Sequence, residues 1–248
     1  MLSSTRIDGD FVRARQLLAD AEAGKGAWKV TKENKYGTMH KGKDGDCKQY
    51  AFITSPQARS GIPFTFCADV LQDDELLTAD DSVLEYKELG NNSGGNVVEL
   101  LALKMPTGVK NRELVTMSHE RLAESAEDGG AQVYERISRS TTHSDRPIQF
   151  STEDKVNNPN GIKRKFIRAY VFNYLKLTAL DDGKSCEQKE LTALDLRGDF
   201  PAKMMDTLMF EDSSSSGQAL RKEIFKRMTA ASYQPMPPEK IKMEKKKK

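Results

Sequence analysis

The stretch Leu191–Met228, LTALDLRGDFPAKMMDTLMFEDSSSSGQALRKEIFKRM, predicts a β-strand followed by a long helix. Its first residues alternate as in a strand, and the chain then breaks near Gly198. Asp199 is a favourable N-cap, and Pro201 suits a first helical turn, where its missing N–H would be unpaired anyway. Beyond this point apolar residues recur at helical spacing, including Met205, Met209, Leu220, Ile224 and Met228.

The first third of the chain alternates helical and extended segments. Residues 5–23 predict an amphipathic helix, and the apolar run Ile62–Leu71 predicts a buried helical insert that begins at Pro63. Three short strands are predicted between these helices, at Trp28–Thr31, Tyr36–His40 and Gln49–Thr54.

Six longer strands follow, separated by polar turns such as Asn91–Gly95. Their predicted ranges are Val83–Leu89, Val97–Met105, Leu114–Ala123, Gln132–Thr142, Lys163–Leu180 and Cys186–Leu196. Because no helical segments lie between them, parallel βαβ units are excluded and an antiparallel sheet is expected. A curved antiparallel sheet needs a cover on one face, and the last helix is the obvious cover. A hollow between them would suit a small apolar ligand.

Composition indicates one soluble domain, expected to span residues 1–233, with a disordered Lys-rich tail at 234–248. The 248-residue chain is 37% hydrophobic and 31% charged, and its net charge of +2 leaves no nucleic-acid footprint. We find no signal-peptide core and no apolar run long enough to span a membrane. Three widely separated cysteines fit a reducing compartment. We therefore expect a cytoplasmic protein.

Several local motifs occur in an order that resembles a known family. They are Trp28-Lys29-Val30, Lys104-Met105-Pro106 followed by Asn111–Val115, Ile167-Arg168, Asp195–Pro201 and Leu220-Arg221. Together these motifs resemble the START domain, the steroidogenic-acute-regulatory-related lipid-transfer fold, over roughly residues 10–230. Glu113-Leu114 replaces the family's Asp-Phe, and Ala79-Asp80-Asp81 stands where a Trp-Asp pair is usual. These departures leave the ligand open.

The resemblance implies an α+β helix-grip fold. In this fold an antiparallel sheet of about nine strands wraps around a long C-terminal helix, with an N-terminal helix and a helical insert. It also implies a monomeric protein that binds a sterol, phospholipid or other lipid in an internal cavity and transfers it between membranes, without a cofactor. The alternatives are a helix-grip enzyme of the cyclase or hydrolase type and a ligand-free interaction module. An inward acid–base pair would favour the enzyme, whereas a collapsed interior would favour the module.

The resemblance also suggests which residues form the site. Glu99 falls where cholesterol-binding members place a cavity carboxylate, and Ser118 falls at the position of its arginine partner. Arg139 or Arg168 could pair with Glu99 instead, although Arg168 is expected to anchor the sheet through a carboxylate. Glu99 could equally lie on a solvated outer face. The expected cavity lining is Glu99, Leu101, Leu103, Ser118, Val171, Asn173, Met205, Leu208 and Met209, and the expected gate is Pro106 and Val109.

Two further segments each allow two interpretations. The patch Ser213–Gly217 either weakens the last helix as a hinge or makes room for a ligand. The run Lys240–Lys248 is either a solubilising end or a transient contact for an anionic membrane surface.

Overall fold

A computed structural model describes residues 4–44, 47–54, 62–72, 83–91, 96–125, 130–141, 166–197, 204–206 and 209. Two helices are α1 (Ser4–Glu22) and α2 (Phe64–Leu71). The strands are β1 (Lys29–Asn34), β2 (Gly37–Asp44), β3 (Cys47–Thr54), β4 (Val83–Asn91), β5 (Val97–Leu103), β6 (Arg112–Ser125), β7 (Ala131–Ser140), β8 (Ile167–Arg168), β9 (Tyr170–Leu180) and β10 (Ser185–Asp195).

All ten strands form one sheet. Its order is β1-β2-β3-β10-β9-β7-β6-β5-β4, and every pair along this path is antiparallel. The predicted fold class is confirmed: a sheet of about nine strands with an N-terminal helix and a helical insert. The first three strands join the later strands through the pairing of β3 with β10.

The prediction of a single strand at Lys163–Leu180 is wrong in one respect, because the extended segment is interrupted at Ala169. The two-residue strand β8 precedes this break and pairs in parallel with β6. Backbone N–H groups of Ile167 and Ala169 donate to the carbonyl oxygens of Asn111 and Glu113. This extra pairing draws the chain away from the path of β9, which begins only at Tyr170.

One face of the sheet carries α1, and we call it the outer face. Phe11 and Leu18 of α1 pack against Ile137, Tyr174 and Leu191, which lie opposite one another on three neighbouring strands. The aromatic residue Tyr174 of β9 lies under the N-terminal helix, and its ring meets that of Phe11 edge-on.

The buried carboxylate of Glu135 ties α1 to the outer face. Arg15 donates two hydrogen bonds of 2.8 Å to it, and Arg121 and Tyr174 donate one each at 2.5 Å. Burial alone would raise the pKa of Glu135, but the hydrogen bonds from Arg15, Arg121 and Tyr174 outweigh it and lower the pKa to about 2. The outer face therefore buries a carboxylate charge whose hydrogen-bond donors are side chains of the protein itself.

The opposite face, which we call the inner face, carries α2. Phe64 and Cys67 of α2 pack against Tyr134, Leu175 and Cys186 in a group that we call the α2 cluster. The sequence interpretation that only the terminal helix covers this face is therefore wrong. The helical insert covers one end of the face because its buried side chains are almost all apolar.

The helix predicted after Pro201 lies mostly outside the described residues. Residues 204–206 and Met209 are helical, as the spacing predicted. Leu208, the patch Ser213–Gly217 and the Lys-rich tail are not among the described positions. Neither α1 nor α2 combines the length and the apolar character that crossing a bilayer would require.

Candidate functional site

The other end of the inner face is apolar and includes the described part of the last helix. Met205 and Met209 are 9% and 5% exposed and belong to a cluster that we call the Met205 cluster. Its other buried members are Met39, Tyr50, Phe52, Met105, Leu114, Ala169 and Leu196, and its half-buried members are Leu101, Leu103, Val109, Val171 and Leu194.

This cluster brings together most of the apolar residues that the sequence placed in the cavity. Leu101 lies opposite Leu114 on β6, and Val171 lies opposite Leu194 on β10. Strand side chains alternate between faces, so these residues share the inner face with the methionines of the last helix. The half-burial of Leu101 and Val171 contrasts with the full burial of the α1 contacts on the outer face.

A row of polar residues crosses the inner face between the Met205 cluster and the α2 cluster. We call it the polar row. Each member lies directly opposite the next on a neighbouring strand, and the members from β2 to β6 are Lys41, Tyr50, Thr192, Asn173, Ser138 and Ser118. Two of these residues, Asn173 and Ser118, were predicted as cavity residues.

The row makes hydrogen bonds within itself and with Glu190. The hydroxyl oxygens of Ser118 and Ser138 lie 2.8 Å apart. The amide nitrogen of Asn173 donates to Glu190 Oε1 at 2.6 Å and to Thr192 Oγ1 at 2.9 Å. Ser118 therefore pairs with another hydroxyl group of the inner face.

At its β2 end, the polar row holds the last helix. Lys41 Nζ contacts both carboxylate oxygens of Asp206 at 2.6 Å, and the Tyr50 hydroxyl donates to the same carboxylate at 2.7 Å. Partial burial opposes ionisation of Asp206, but the hydrogen bonds from Lys41 and Tyr50 lower its pKa. We call these three residues the helix latch.

Glu99 lies two residues before Leu101 on β5 and therefore on the same inner face. The Tyr86 hydroxyl donates to Glu99 Oε1 at 2.9 Å. Neither arginine considered as its partner reaches it: Arg139 pairs with Asp10, and Arg168 pairs with Glu113 at 2.9 Å. The structural role expected for Arg168 is therefore confirmed. The alternation places Arg139 on the outer face, because it lies opposite Phe172.

The predicted gate loop lies between β5 and β6. The Val109 N–H donates to the Pro106 carbonyl at 3.0 Å, and the Asn111 side chain accepts from the Met105 N–H at 3.0 Å, so the loop is a closed turn. Gly108 has φ of 89°, a conformation that favours glycine. Pro106 is exposed, whereas Val109 packs against the Met205 cluster.

Arg112 joins this loop to the chain that enters the last helix. Its buried guanidinium donates to the carbonyl oxygens of Leu196 at 2.6 Å and Arg197 at 3.0 Å, and also to that of Lys110. Burial lowers the pKa of Arg112. Asp195 caps the turn by accepting from the Arg197 N–H at 2.9 Å, and Arg197 has φ of 55°. We call this set of contacts the Arg112 clamp.

The two histidines among the described residues, His40 and His119, lie on separate strands of the sheet. Burial lowers the pKa of His40, and burial together with the charge of Arg139 lowers that of His119. His119 lies opposite Ile137 and its neighbour Glu120 lies opposite Arg136, so the two side chains point to opposite faces. Among the described residues, no three His, Cys, Asp or Glu side chains are placed to hold a metal ion.

Sequence reasoning missed several polar residues of the inner face. Tyr50, Asp206, Glu190, Thr192 and Ser138 were not predicted as site residues. Alternation could have assigned Tyr50, Glu190, Thr192 and Ser138 to a face within their own strands, whereas Asp206 lies on the last helix. Their grouping depends on strand order and register, which alternation does not contain.

This arrangement, an antiparallel sheet with one helix on the outer face and helical segments on the inner face, is the helix-grip architecture. Solved structures with the START fold superimpose on it. Human STARD10 is 17% identical, with 86% of this chain and 78% of that chain covered and a TM-score of 0.62. Human StAR-related lipid transfer protein 5 is 12% identical, with coverage of 88% and 99% and a TM-score of 0.60.

The lipid transfer and protein localization domain of human StarD13 is 14% identical, with coverage of 86% and 95% and a TM-score of 0.55. At these identities the superpositions define the fold, and the chain has a START-like fold. No family model matches the sequence, and no curated protein matches it.

Proposed function

We propose that this protein binds a lipid between the inner face and the last helix and carries it between membranes. The observation that carries the proposal is the Met205 cluster, in which half-buried Leu101, Leu103 and Val171 lie with Met205 and Met209 of the helix. Methionine side chains are flexible and adapt to irregular apolar partners. We expect the lining of this lipid site to extend to Glu99, Ser118, Asn173 and Leu208.

The energetics of such a site suit exchange rather than permanent binding. Burying one methylene gains about 0.8 kcal/mol, so a ~16-carbon chain gains on the order of 12 kcal/mol relative to water. A bilayer offers nearly the same gain, so the net free energy of exchange lies near zero. A carrier therefore needs a closed apolar path more than it needs strong binding.

The proposal includes a gate, an overall organisation and a location. Pro106 and Val109 form the gate, since their loop is joined to the base of the last helix by the Arg112 clamp. Residues 1–233 form one monomeric cytoplasmic domain, and the Lys-rich tail at 234–248 contacts anionic membranes transiently. START-fold neighbours with lipid transfer in their names support the lipid as ligand.

Native mass spectrometry of the purified protein tests the proposal. A bound species should appear and should be recovered by lipid extraction. The protein should also speed transfer of a fluorescent lipid between vesicles. An apo protein that takes up no lipid from vesicles would contradict the proposal.

The enzymatic alternative would depend on Tyr86 and Glu99, an inward pair within hydrogen-bond reach. A change in mass of the extracted ligand upon incubation, abolished by Tyr86→Phe, would favour it. Release of the ligand unchanged is the result that we expect.

A further inference from the structure

A row of residues crosses the outer face beneath α1, and both of its ends are histidines. Each member lies directly opposite the next on a neighbouring strand, and four central members belong to the apolar group that packs against α1. Each histidine therefore borders the surface on which the helix lies. From β2 to β6 the members are His40, Ala51, Leu191, Tyr174, Ile137 and His119.

His40 lies at the end of the row where α1 terminates. It is 7% exposed, and the Ala21 carbonyl in the last turn of α1 accepts a hydrogen bond from its ring. Because Nδ1 is buried without a hydrogen-bond partner among the described residues, the bond to Ala21 comes from Nε2. A neutral imidazole has one N–H group, and here that group is directed to the helix. A second proton would place a positive charge at a buried position.

Two groups of α1 favour a positive charge on His40, but burial outweighs them. Burial lowers the pKa of His40, whereas the Glu22 carboxylate and the Ala21 carbonyl raise it less. Glu22 is itself paired with Lys189 of β10 at 2.7 Å, and Lys189 also contacts Glu187 at 3.0 Å. His40 is therefore held neutral by its position in the fold.

The neighbouring strands add little charge on this face. β1 contributes Glu33, which is exposed and lies opposite Thr38. The remaining described side chains around His40 on the outer faces of β1, β2 and β3 are uncharged: Trp28, Val30, Thr38, Gln49, Ala51 and Ile53.

The end of α1 lies over the junction between the two parts of the sheet. Strands β1 to β3 join the later strands through the pairing of β3 with β10, where Ala51 lies opposite Leu191. Leu18 and Ala21 of α1 are buried in the same apolar group as these two residues. The last turns of α1 therefore cover this junction from the outer side.

We propose that His40 is a pH sensor that holds the last turns of α1 on the outer face while it is neutral and releases them when it is protonated. The release uncovers Trp28, Ala51 and Leu191. Because folding lowers the pKa of His40 from 6.5, its stabilisation of the docked helix is complete above pH 6.5 and is lost as the pH falls below that value.

The single tryptophan of the chain, Trp28, reports on this contact. Trp28 is 7% exposed within the apolar group under α1. Its indole packs on Gly42, two residues after His40, so closely that a Cβ atom there would lie 2.5 Å from the ring. Fluorescence of the full chain is titrated between about pH 7.5 and about pH 5. The emission maximum should shift reversibly to longer wavelength, with a midpoint below pH 6.5.

His40→Gln supplies the second arm, because glutamine keeps an N–H donor for Ala21 and does not take up a proton in this range. The shift of Trp28 emission should disappear in this variant. The matched control is His119→Gln, the same substitution at the other end of the row, which should leave the midpoint unaltered.

Hydrogen exchange of the unaltered protein does not depend on whether a variant folds. After correction for the intrinsic effect of pH, amides of residues 17–24 should exchange at least about threefold faster at the acidic end of the titration. Amides of α2 should keep their protection.

Each contrary outcome overturns the proposal. Constant emission and constant exchange of residues 17–24 would show that α1 stays docked. The same emission shift in His40→Gln, or its loss in His119→Gln, would assign the response to another group. Equal loss of protection in α2 would indicate unfolding of the whole domain rather than release of α1.

Discussion

Two carboxylates on opposite faces of the sheet, Glu135 and Glu190, differ in burial and in their hydrogen-bond partners. On the outer face, Glu135 has a side chain only 2% exposed and receives hydrogen bonds from Arg15, Arg121 and Tyr174. On the inner face, Glu190 and Asn173 lie half-buried between two apolar clusters, and Thr192 beside them is buried. The buried, hydrogen-bonded charge of Glu135 fixes α1 to the sheet, whereas the half-buried Glu190 lies beside the proposed lipid site.

The strongest test of this difference is a matched pair of substitutions. Glu135→Gln should lower the free energy of unfolding by about 3 kcal/mol, because it leaves two arginines near a buried neutral group. Glu190→Gln on the inner face should cost less than about 1 kcal/mol. Urea unfolding measures both, and equal losses would contradict the assignment of different roles to the two faces.

The pH dependence of the same pair gives an independent check. The pKa of Glu135 is lowered from 4.5 to about 2, so its stabilisation is complete above pH 4.5 and disappears as the pH falls through 2. The stability difference between the unaltered protein and Glu135→Gln should therefore shrink over this range. A difference that stays constant from pH 5 to about pH 2 would indicate that the carboxylate charge is not involved.

A smaller effect is expected at the Arg112 clamp. Arg112→Met should lower the free energy of unfolding by about 2 kcal/mol, since it leaves the buried carbonyl oxygen of Leu196 and the part-buried one of Arg197 without their donor. Arg197→Met is the matched control, because the Arg197 side chain is 57% exposed and the change should cost less than about 0.5 kcal/mol. Similar losses of unfolding free energy in both variants would show that the buried hydrogen bonds of Arg112 do not stabilise the protein.

The helix latch should act mainly on ligand release. Asp206 is 39% exposed, so its contacts with Lys41 and Tyr50 stabilise the closed helix by at most about 1 kcal/mol. Asp206→Asn should accordingly speed lipid release up to about fivefold, measured by stopped-flow transfer to vesicles. The control is Asp8→Asn on the exposed surface of α1. Equal rates of lipid release in the two variants would show that the helix latch does not control release.

The smallest expected effect concerns the gate. Val109→Ala removes two methyl groups from a half-buried contact with the Met205 cluster and should speed release about twofold, equivalent to roughly 0.5 kcal/mol. Val12→Ala makes the same chemical change at a position that is 63% exposed on α1, and it should leave the release rate unaltered. A rate unchanged by Val109→Ala would place the opening elsewhere.

Much of the fold was predictable because strands and helices differ in their local period. Alternation predicted the six later strands, and the polar turns between them excluded βαβ units. The break at Ala169 was missed, because it results from pairing between β8 and the distant β6 rather than from a local signal. The sequence analysis also missed that α2 covers part of the inner face, because this packing is not encoded by a local signal either.

By itself, the sequence determined most of the elements, their order and which residues of a strand share a face, since side-chain direction follows from a period of two. Only the tertiary structure decided which strands lie side by side and in which register. That choice places Asn173 opposite Thr192 and Ser138, and it brings Lys41 to Asp206, 165 positions away in the chain. Such contacts arise from cross-strand hydrogen bonding and from the docking of the last helix, which no local pattern encodes.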